Sequence, residues 1–291
     1  MRLRPLDPIR DRARMERLWL AALAPTWPVL PDVLDRVPGG LLAEAGGRPA
    51  GAVVIHPAGS VALLVVAPEH RRRGVATELL DAAVASLRAG GAGRVTLATG
   101  GGAYVWPGVP ADLPEAVAFF EARGWEWGHR VTDLTCDLRS YRPAPGPAPA
   151  GVSLSVAAPA DRPAALAFAF ERRWFPEWVP SFERGDASIL LARDAGGAVL
   201  GTLLFAGPGR CSVLWPMLGE DMAWIGCVGV AEPARGAGIA GAMVTRASEL
   251  LRDAGAGTCL IDWARRSELY ERCGYRRWRD YLTASRATAG A

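Results

Sequence analysis

Lysine, asparagine and glutamine are absent from this sequence, so every one of its 33 strongly basic side chains is an arginine. Loss of the thermolabile amides alone fits adaptation to heat, but heat adaptation ordinarily enriches lysine. A GC-rich genome accounts for all three absences together, and that is the reading adopted. Cysteine is sparse. The five residues Cys136, Cys211, Cys227, Cys259 and Cys273 contain no Cys-x-x-Cys pair and are odd in number, which disfavours a disulfide framework and a zinc site. Buried free thiols in a reducing compartment are expected instead, and no metal. No apolar run approaches the roughly 20 residues of a membrane span. Residues 1–17 are studded with arginine and aspartate where a secretory leader has an apolar stretch. Excess charge is lacking too. The 33 basic and 30 acidic residues leave a net charge of +3, too little for a nucleic-acid footprint. His70-Arg71-Arg72-Arg73 is the one dense basic cluster. These absences predict a cytoplasmic protein, monomer or homodimer, with neither nucleic acid nor membrane as partner.

What is present is apolar and repetitive. Half of the 291 residues are hydrophobic, enough for two cores in two domains of ordinary size. Residues 142–151 alternate Pro143, Pro145, Pro147 and Pro149 with small residues. Such a segment stiffens toward an extended polyproline form and reads as a linker. It separates a first domain, 1–141, from a second, 152–291. The halves repeat one another in three blocks kept in the same order. Leu41-Leu42-Ala43 with Gly51 matches Leu190-Leu191-Ala192 with Gly201, each block reading as a hairpin. Arg71-x-x-Gly74-x-Ala76 matches Arg235-x-x-Gly238-x-Ala240. Phe120 before Gly124 matches Tyr270 before Gly274 at the same distance.

The elements predicted in each half follow one plan. A helix at 7–24 or 161–174 precedes a hairpin, then an apolar strand at 61–66 or 224–230. A sharp turn leads into an amphipathic helix, marked by Leu79, Leu80, Ala83 and Leu87 in one half and by Met243, Val244, Ala247 and Leu251 in the other. Another strand follows at 94–98 or 258–262, then a short helix ended by a glycine, then a closing strand that completes the half. The fold class is α/β: two domains, each a mixed sheet flanked by helices.

The matched turns suit an anion. The first amides of a helix have no intrahelical partner, and the helix dipole favours negative charge beside them. Gly74 and Gly238 remove a side chain that would block a phosphate, Ala76 and Ala240 keep the next position small, and the arginine adds a cation. The ensemble fits a pyrophosphate. A plain helix start explains one such turn as well, and two at equivalent places of a repeat less well.

Val66-Ala67-Pro68-Glu69-His70-Arg71-Arg72-Arg73-Gly74-Val75-Ala76 and Val230-Ala231-Glu232-Pro233-Ala234-Arg235-Gly236-Ala237-Gly238-Ile239-Ala240 resemble the acetyl-CoA signature of the GCN5-related N-acetyltransferases. The resemblance covers both halves. It implies acetyl-CoA as co-substrate, with the strands at Val66, Val228 and Val230 offering backbone groups to the pantetheine arm. It also implies that Arg71, Arg72, Arg73, Gly74, Val75 and Ala76, or Arg235, Gly236, Ala237, Gly238, Ile239 and Ala240, bind the pyrophosphate. Pro233 lies one place nearer its arginine than Pro68 does, so a different turn geometry is expected in the second copy. A rival reading takes Gly236-x-Gly238-x-x-Gly241 as a dinucleotide fingerprint, with Asp262 as the ribose ligand. The five residues between strand and first glycine, one of them proline, argue against it.

Acetyl transfer to an amine needs a group to take the amine's proton, an oxyanion donor and a proton donor for the leaving thiolate. In the family that chain resembles, a tyrosine four residues before the second helix's glycine supplies that proton. Tyr270 holds this place, and Phe120, its counterpart, has no proton to give. The C-terminal domain is therefore expected to run the chemistry, the N-terminal one to bind cofactor without turnover or to act as scaffold. A core aromatic is the plainer reading of Tyr270. For the base, Glu220, Asp221 and Asp262 are candidates, Asp262 first, because Leu260 and Ile261 bury its neighbours and Trp263 would wall the pocket; a solvated strand-end carboxylate explains each equally. The family often has asparagine at Trp263's place. His70 sits in the first turn, while His56 and His129 read as strand or surface residues. The aromatic segments at 104–110 and 174–178 suit a substrate cleft or plain packing. The expected function is transfer of the acetyl group of acetyl-CoA to a primary amine of a small molecule, an amino sugar preferred, with a non-catalytic acyl-CoA sensor as the alternative.

Overall fold

Period-two runs and 3.6-residue periodicities become strands and helices in the order just given, except that a strand not expected from the sequence, Arg2–Leu6 or Ser153–Val156, precedes the first helix of each half. The computed structural model describes residues 1–24, 26–28, 39–56, 58–98, 105–142, 148–171, 182, 185–209 and 215–288. The predicted helix at 161–174 is described to residue 171, and the segment at 174–178 and residues 143–147 of the linker lie outside the described residues. Two compact units form. The first comprises Met1–Val131, Ser212–Met217 and Asp280–Ala291; the second comprises Thr132–Cys211 and Leu218–Arg279.

In the first unit the elements are β1 (Arg2–Leu6), α1 (Arg12–Leu23), β2 (Gly40–Ala45), β3 (Arg48–His56), β4 (Ser60–Val66), α2 (Val75–Ala89), β5 (Arg94–Leu97), β6 (Val109–Pro110), α3 (Pro114–Glu121) and the start of β7 (Glu126–Asp137). Strands β1 to β4 pair antiparallel in sequence order. Strand β5 lies parallel to β4, because α2 carries the chain back across the sheet. The second unit repeats this with β8 (Ser153–Val156), α4 (Arg162–Glu171), β9 (Ser188–Arg193), β10 (Val199–Ala206), β11 (Met222–Val230), α5 (Ile239–Asp253), β12 (Thr258–Ala264), α6 (Ser267–Arg272) and the start of β13 (Arg276–Ala287). Strands β8 to β11 are antiparallel and β12 is parallel to β11. Both sheets are mixed and flanked by helices, the expected class.

The closing strands differ from the expectation that each completes its own half. Residues 285–287 of β13 pair with β5 in the first unit, Ser285 opposite Thr96. Residues 134–137 of β7 pair with β12 in the second, Leu134 opposite Ile261 and Asp137 opposite Thr258. The two edges are equivalent, and an antiparallel strand of either half satisfies the same row of backbone groups. Pairing partner is a non-local property that alternation does not encode.

The helices after the turns are held by their apolar stripes. Val75, Leu79, Leu80, Ala83 and Leu87 of α2 are buried, as are Ile239, Met243, Val244, Ala247 and Leu251 of α5. Each large aliphatic side chain so buried contributes on the order of 1.5–3 kcal/mol. The matched glycines of the hairpins let the helices approach. A methyl group on Gly51 would stand 3.0 Å from Leu79 Cδ1, and one on Gly201 would stand 3.0 Å from Met243 Sδ.

Candidate functional site

The two turns have the same backbone. Each strand ends at a buried alanine whose amide donates to the neighbouring strand, Ala67 to Ala50 at 3.0 Å and Ala231 to Leu200 at 2.7 Å. One 3-10 turn follows, Pro68–His70 or Glu232–Ala234, closed by Arg71 N–H to Pro68 O and by Arg235 N–H to Glu232 O, both at 3.2 Å. The displaced proline therefore leaves the geometry unchanged, contrary to expectation. At the first or second position of a 3-10 turn no amide hydrogen is required, so proline fits either place. Arg72 and Gly236 then take φ of 60° and 84°, and Gly74 and Gly238 take φ of 84° and 83° as the helix N-caps.

Neither N-cap has a side chain that caps the helix. The first intrahelical bonds are Glu78 N–H to Gly74 O and Ala242 N–H to Gly238 O, both 3.0 Å. The amides of Val75, Ala76 and Thr77, and of Ile239, Ala240 and Gly241, thus lack intrahelical acceptors. Beyond each N-cap the space is open, with nothing within 4 Å of an added Cβ. Every predicted cofactor residue of a copy lies on this turn, on the strand leading to it or in the first turn of the helix that follows. The arginines do more than add charge. Arg71 Nε donates to Val66 O at 3.4 Å and Arg235 Nε to Val230 O at 3.3 Å, bracing the strand end under the turn. Arg71 also donates to Ala22 O, at the end of α1, at 3.1 Å.

In the second unit the parallel ladder of β11 and β12 ends at the pair Ile225–Ile261. Past that pair the strands part, and Asp262 is the first residue of β12 beyond it. On its other edge β11 carries a bulge: Thr202 faces Gly229 and Leu204 faces Gly226, so Cys227 and Val228 both oppose Leu203. Cys227 has φ of 51°. A bulge leaves a backbone group out of the ladder, and here it begins two residues past Ile225, the last β11 residue paired with β12. Asp262 is half-buried, and the Trp224 indole N–H donates to its Oδ1 at 3.0 Å.

Tyr270 lies in the last turn of α6, whose C-terminal bonds, Cys273 N–H and Tyr275 N–H to Tyr270 O at 2.9 and 3.1 Å, fix its backbone. Its side chain is half-buried against the α5 core. Burial, and then the negative charge of Asp262, push its phenol well above the usual tyrosine range. Phe120, at the matching place in the first unit, packs edge-on against Phe119 and Trp125, ring centres 5.2 and 5.7 Å away. Glu220 and Asp221 lie at the other end of β11. Asp221 is ion-paired with Arg139 there, six residue steps, about 20 Å, before the bulge at Cys227. Trp263 is half-buried beside Asp262 with φ of 51°. Trp106 of the 104–110 segment is buried and stacked on Trp19 at 5.4 Å, a packing role; Tyr104 lies outside the described residues. The described cysteines are all free, three of them buried. No helix among the described residues is long and apolar enough to cross a membrane.

Mixed sheets bearing the same strand–turn–helix cradle twice define the class, a tandem α/β acyltransferase fold. The chain belongs to the acetyltransferase (GNAT) family, whose sequence profile matches residues 7–125 and again 158–275. A search of curated protein sequences gives no match. Among solved structures, the chain is similar to the GCN5-related glucosamine N-acetyltransferase region of a fungal multi-domain GH3 β-N-acetylglucosaminidase. The TM-score is 0.85 at 25% identity, covering 98% of this chain and 38% of that one. A GCN5-related N-acetyltransferase from Sphaerobacter thermophilus matches with a TM-score of 0.75 at 21% identity, covering 100% of this chain and 96% of that one. A tandem GNAT protein from the clavulanic acid biosynthesis pathway matches with a TM-score of 0.70 at 19% identity, covering 100% and 99%. The chain thus spans well under half of the fungal protein.

Proposed function

We propose that the second unit transfers the acetyl group of acetyl-CoA to the primary amine of a small molecule, an amino sugar by preference. One observation supports the reading: Asp262, the first residue of β12 past its ladder with β11, lies near enough to Tyr270 for its charge to raise the phenol further. Acetyl-CoA supplies an acetyl group activated as a thioester. The amides of Ile239, Ala240 and Gly241 bind its pyrophosphate, which the open space at Gly238 admits. Asp262 takes the proton from the substrate ammonium, leaving the neutral amine that attacks the thioester carbonyl. The backbone at the Cys227–Val228 bulge donates to the oxygen as charge develops on it. As the carbon–sulfur bond breaks, Tyr270 gives its proton to the sulfur, and the attacking nitrogen loses its remaining extra proton to solvent, from which Tyr270 is reprotonated, leaving the amide and the free thiol. The first unit, with Phe120 at the donor's place, binds acetyl-CoA without turnover or serves as scaffold.

The amino-sugar preference rests on the likeness to the fungal glucosamine N-acetyltransferase region. The test is thiol release from acetyl-CoA over a panel of glucosamine, aminoacyl thiols, aminoglycosides and aryl amines. Release with glucosamine above the rest supports the reading. Acetyl-CoA binding without thiol release on any amine would replace it with an acyl-CoA-sensing role.

A further inference from the structure

Asp262 sits on an irregular stretch of β12 whose shape is set from outside that strand. Between the pairs Ile261–Leu134 and Ala264–Thr132 the ladder with β7 shifts register, so Asp262 and Trp263 together oppose one residue, Asp133. Asp133 is 1% exposed, and its Oδ1 accepts the Trp263 N–H at 2.9 Å. That bond holds Trp263 at φ of 51°, a backbone state costing roughly 1–2 kcal/mol for a residue with a side chain. The other hold is on the Asp262 side chain, through Trp224 Nε1 at 3.0 Å. The Trp224 ring lies across Gly226, where any Cβ would collide with it.

We infer that Asp133 and Trp224 are positioning residues for Asp262, one fixing the backbone bulge and the other the carboxylate. Asp133 belongs to β7, which precedes the proline-rich segment, so the site of the C-terminal half is completed by a residue of the N-terminal half's sequence. The inference rests on Asp262 being the proton acceptor proposed above. It predicts that loss of either hold misplaces the carboxylate without touching the acetyl-CoA cradle on α5.

The experiment compares Asp133→Leu, Asp133→Asn, Trp224→Phe, Gly226→Ala and Asp262→Asn in the full chain. Readouts are kcat, KM for the amine, acetyl-CoA affinity by calorimetry and the NMR signal of the Trp224 indole N–H. Asp133→Leu removes the acceptor, Trp224→Phe the donor, and Gly226→Ala displaces the ring. Each is expected to lower kcat about 10- to 100-fold, the scale of an ångström's misplacement, at unchanged acetyl-CoA affinity. Asp133→Asn keeps an oxygen for the Trp263 amide and is expected to retain most of the rate. The indole signal should move in Asp262→Asn and in Asp133→Leu, and stay in Asp133→Asn. If Asp262→Asn lowers kcat while Trp224→Phe and Asp133→Leu do not, the inference is overturned. If Asp262→Asn itself keeps full rate, the assignment of the proton acceptor fails instead. Should Asp133→Leu not fold, Trp224→Phe and Gly226→Ala decide.

Discussion

Replacing Gly238 by glutamate should abolish acetyl-CoA binding at the second unit while leaving that unit folded. The site loses the open space beyond the helix N-cap and gains a carboxylate where the pyrophosphate must sit. Nothing lies within 4 Å of the new Cβ, so the fold pays only for holding a side chain at φ of 83°, on the order of 1–2 kcal/mol. The amides of Ile239, Ala240 and Gly241, which lack intrahelical acceptors, are the donors at stake. If two of their charge-assisted bonds are lost at roughly 1.5–3 kcal/mol each, binding weakens by about 3–6 kcal/mol. That is roughly a 10²- to 10⁴-fold rise in Kd. Calorimetric titration with acetyl-CoA is the assay, with a thermal melt to show that the variant folds. Gly74→Glu is the control, because its turn has the same backbone in the other unit. It should leave turnover intact, whether or not a second binding event disappears with it. A folded Gly238→Glu protein that binds and turns over like the parent would refute the reasoning.

Other consequences concern pH and stability. Burial pushes the thiols of Cys136 and Cys273 from the ordinary 9.0 to about 11 and that of Cys259 to about 12. Protons held in the folded state and released on unfolding stabilise the fold at lower pH. Stability should therefore be level below pH 9.0 and decline as pH rises through the folded values, and denaturant midpoints across that range test it. A flat profile up to pH 12 would contradict the burial of these groups. Arg4 holds Asp11 at about 2, below its ordinary 3.8. Its contribution is complete above 3.8 and should be lost as pH falls toward 2. Asp11→Ala, which removes the buried acceptor of Arg4 and of the Asp7 amide, should cost about 1–3 kcal/mol in chemical denaturation and leave acetyl-CoA binding unchanged. Phe120→Tyr should confer no turnover on the first unit, because no carboxylate there matches Asp262, whose place in the repeat is taken by Ala98. Activity appearing from that change in a chain already inactivated by Tyr270→Phe would contradict the division of roles.

The turns were legible in the sequence because they are local. An arginine, a glycine and an alanine at fixed offsets between an apolar strand and an amphipathic helix determine a backbone path, and the repeat supplied a second instance. Asp262 is a candidate on the same local grounds, from its place at a strand end beside Leu260 and Ile261. Proline misled the reading at one point, since Pro233 and Pro68 occupy different positions of the same 3-10 turn. What stayed hidden is what register decides. Alternation in 126–137 and 276–287 announces strands, yet says nothing of which edge each one joins. The pairing of Leu134 with Ile261 brings Asp133 opposite Trp263, and only that pairing reveals the carboxylate within hydrogen-bond reach of the Trp263 amide. Trp224 was visible as a strand residue. The signal that it matters, a glycine two places on at Gly226 that leaves room for its ring, becomes meaningful only once Asp262 is seen within its reach.

Proton-assisted acetyl transfer by the second unit, as proposed, runs through Tyr270. The most direct measurement is amine-dependent thiol release from acetyl-CoA by the parent chain and by Tyr270→Phe, with acetyl-CoA affinity determined on both. In Tyr270→Phe kcat should fall about 10²- to 10⁴-fold, the usual contribution of a positioned proton donor, while affinity for acetyl-CoA is unchanged. Equal rates in the two proteins, or a loss of rate that merely follows a loss of acetyl-CoA affinity, would contradict it.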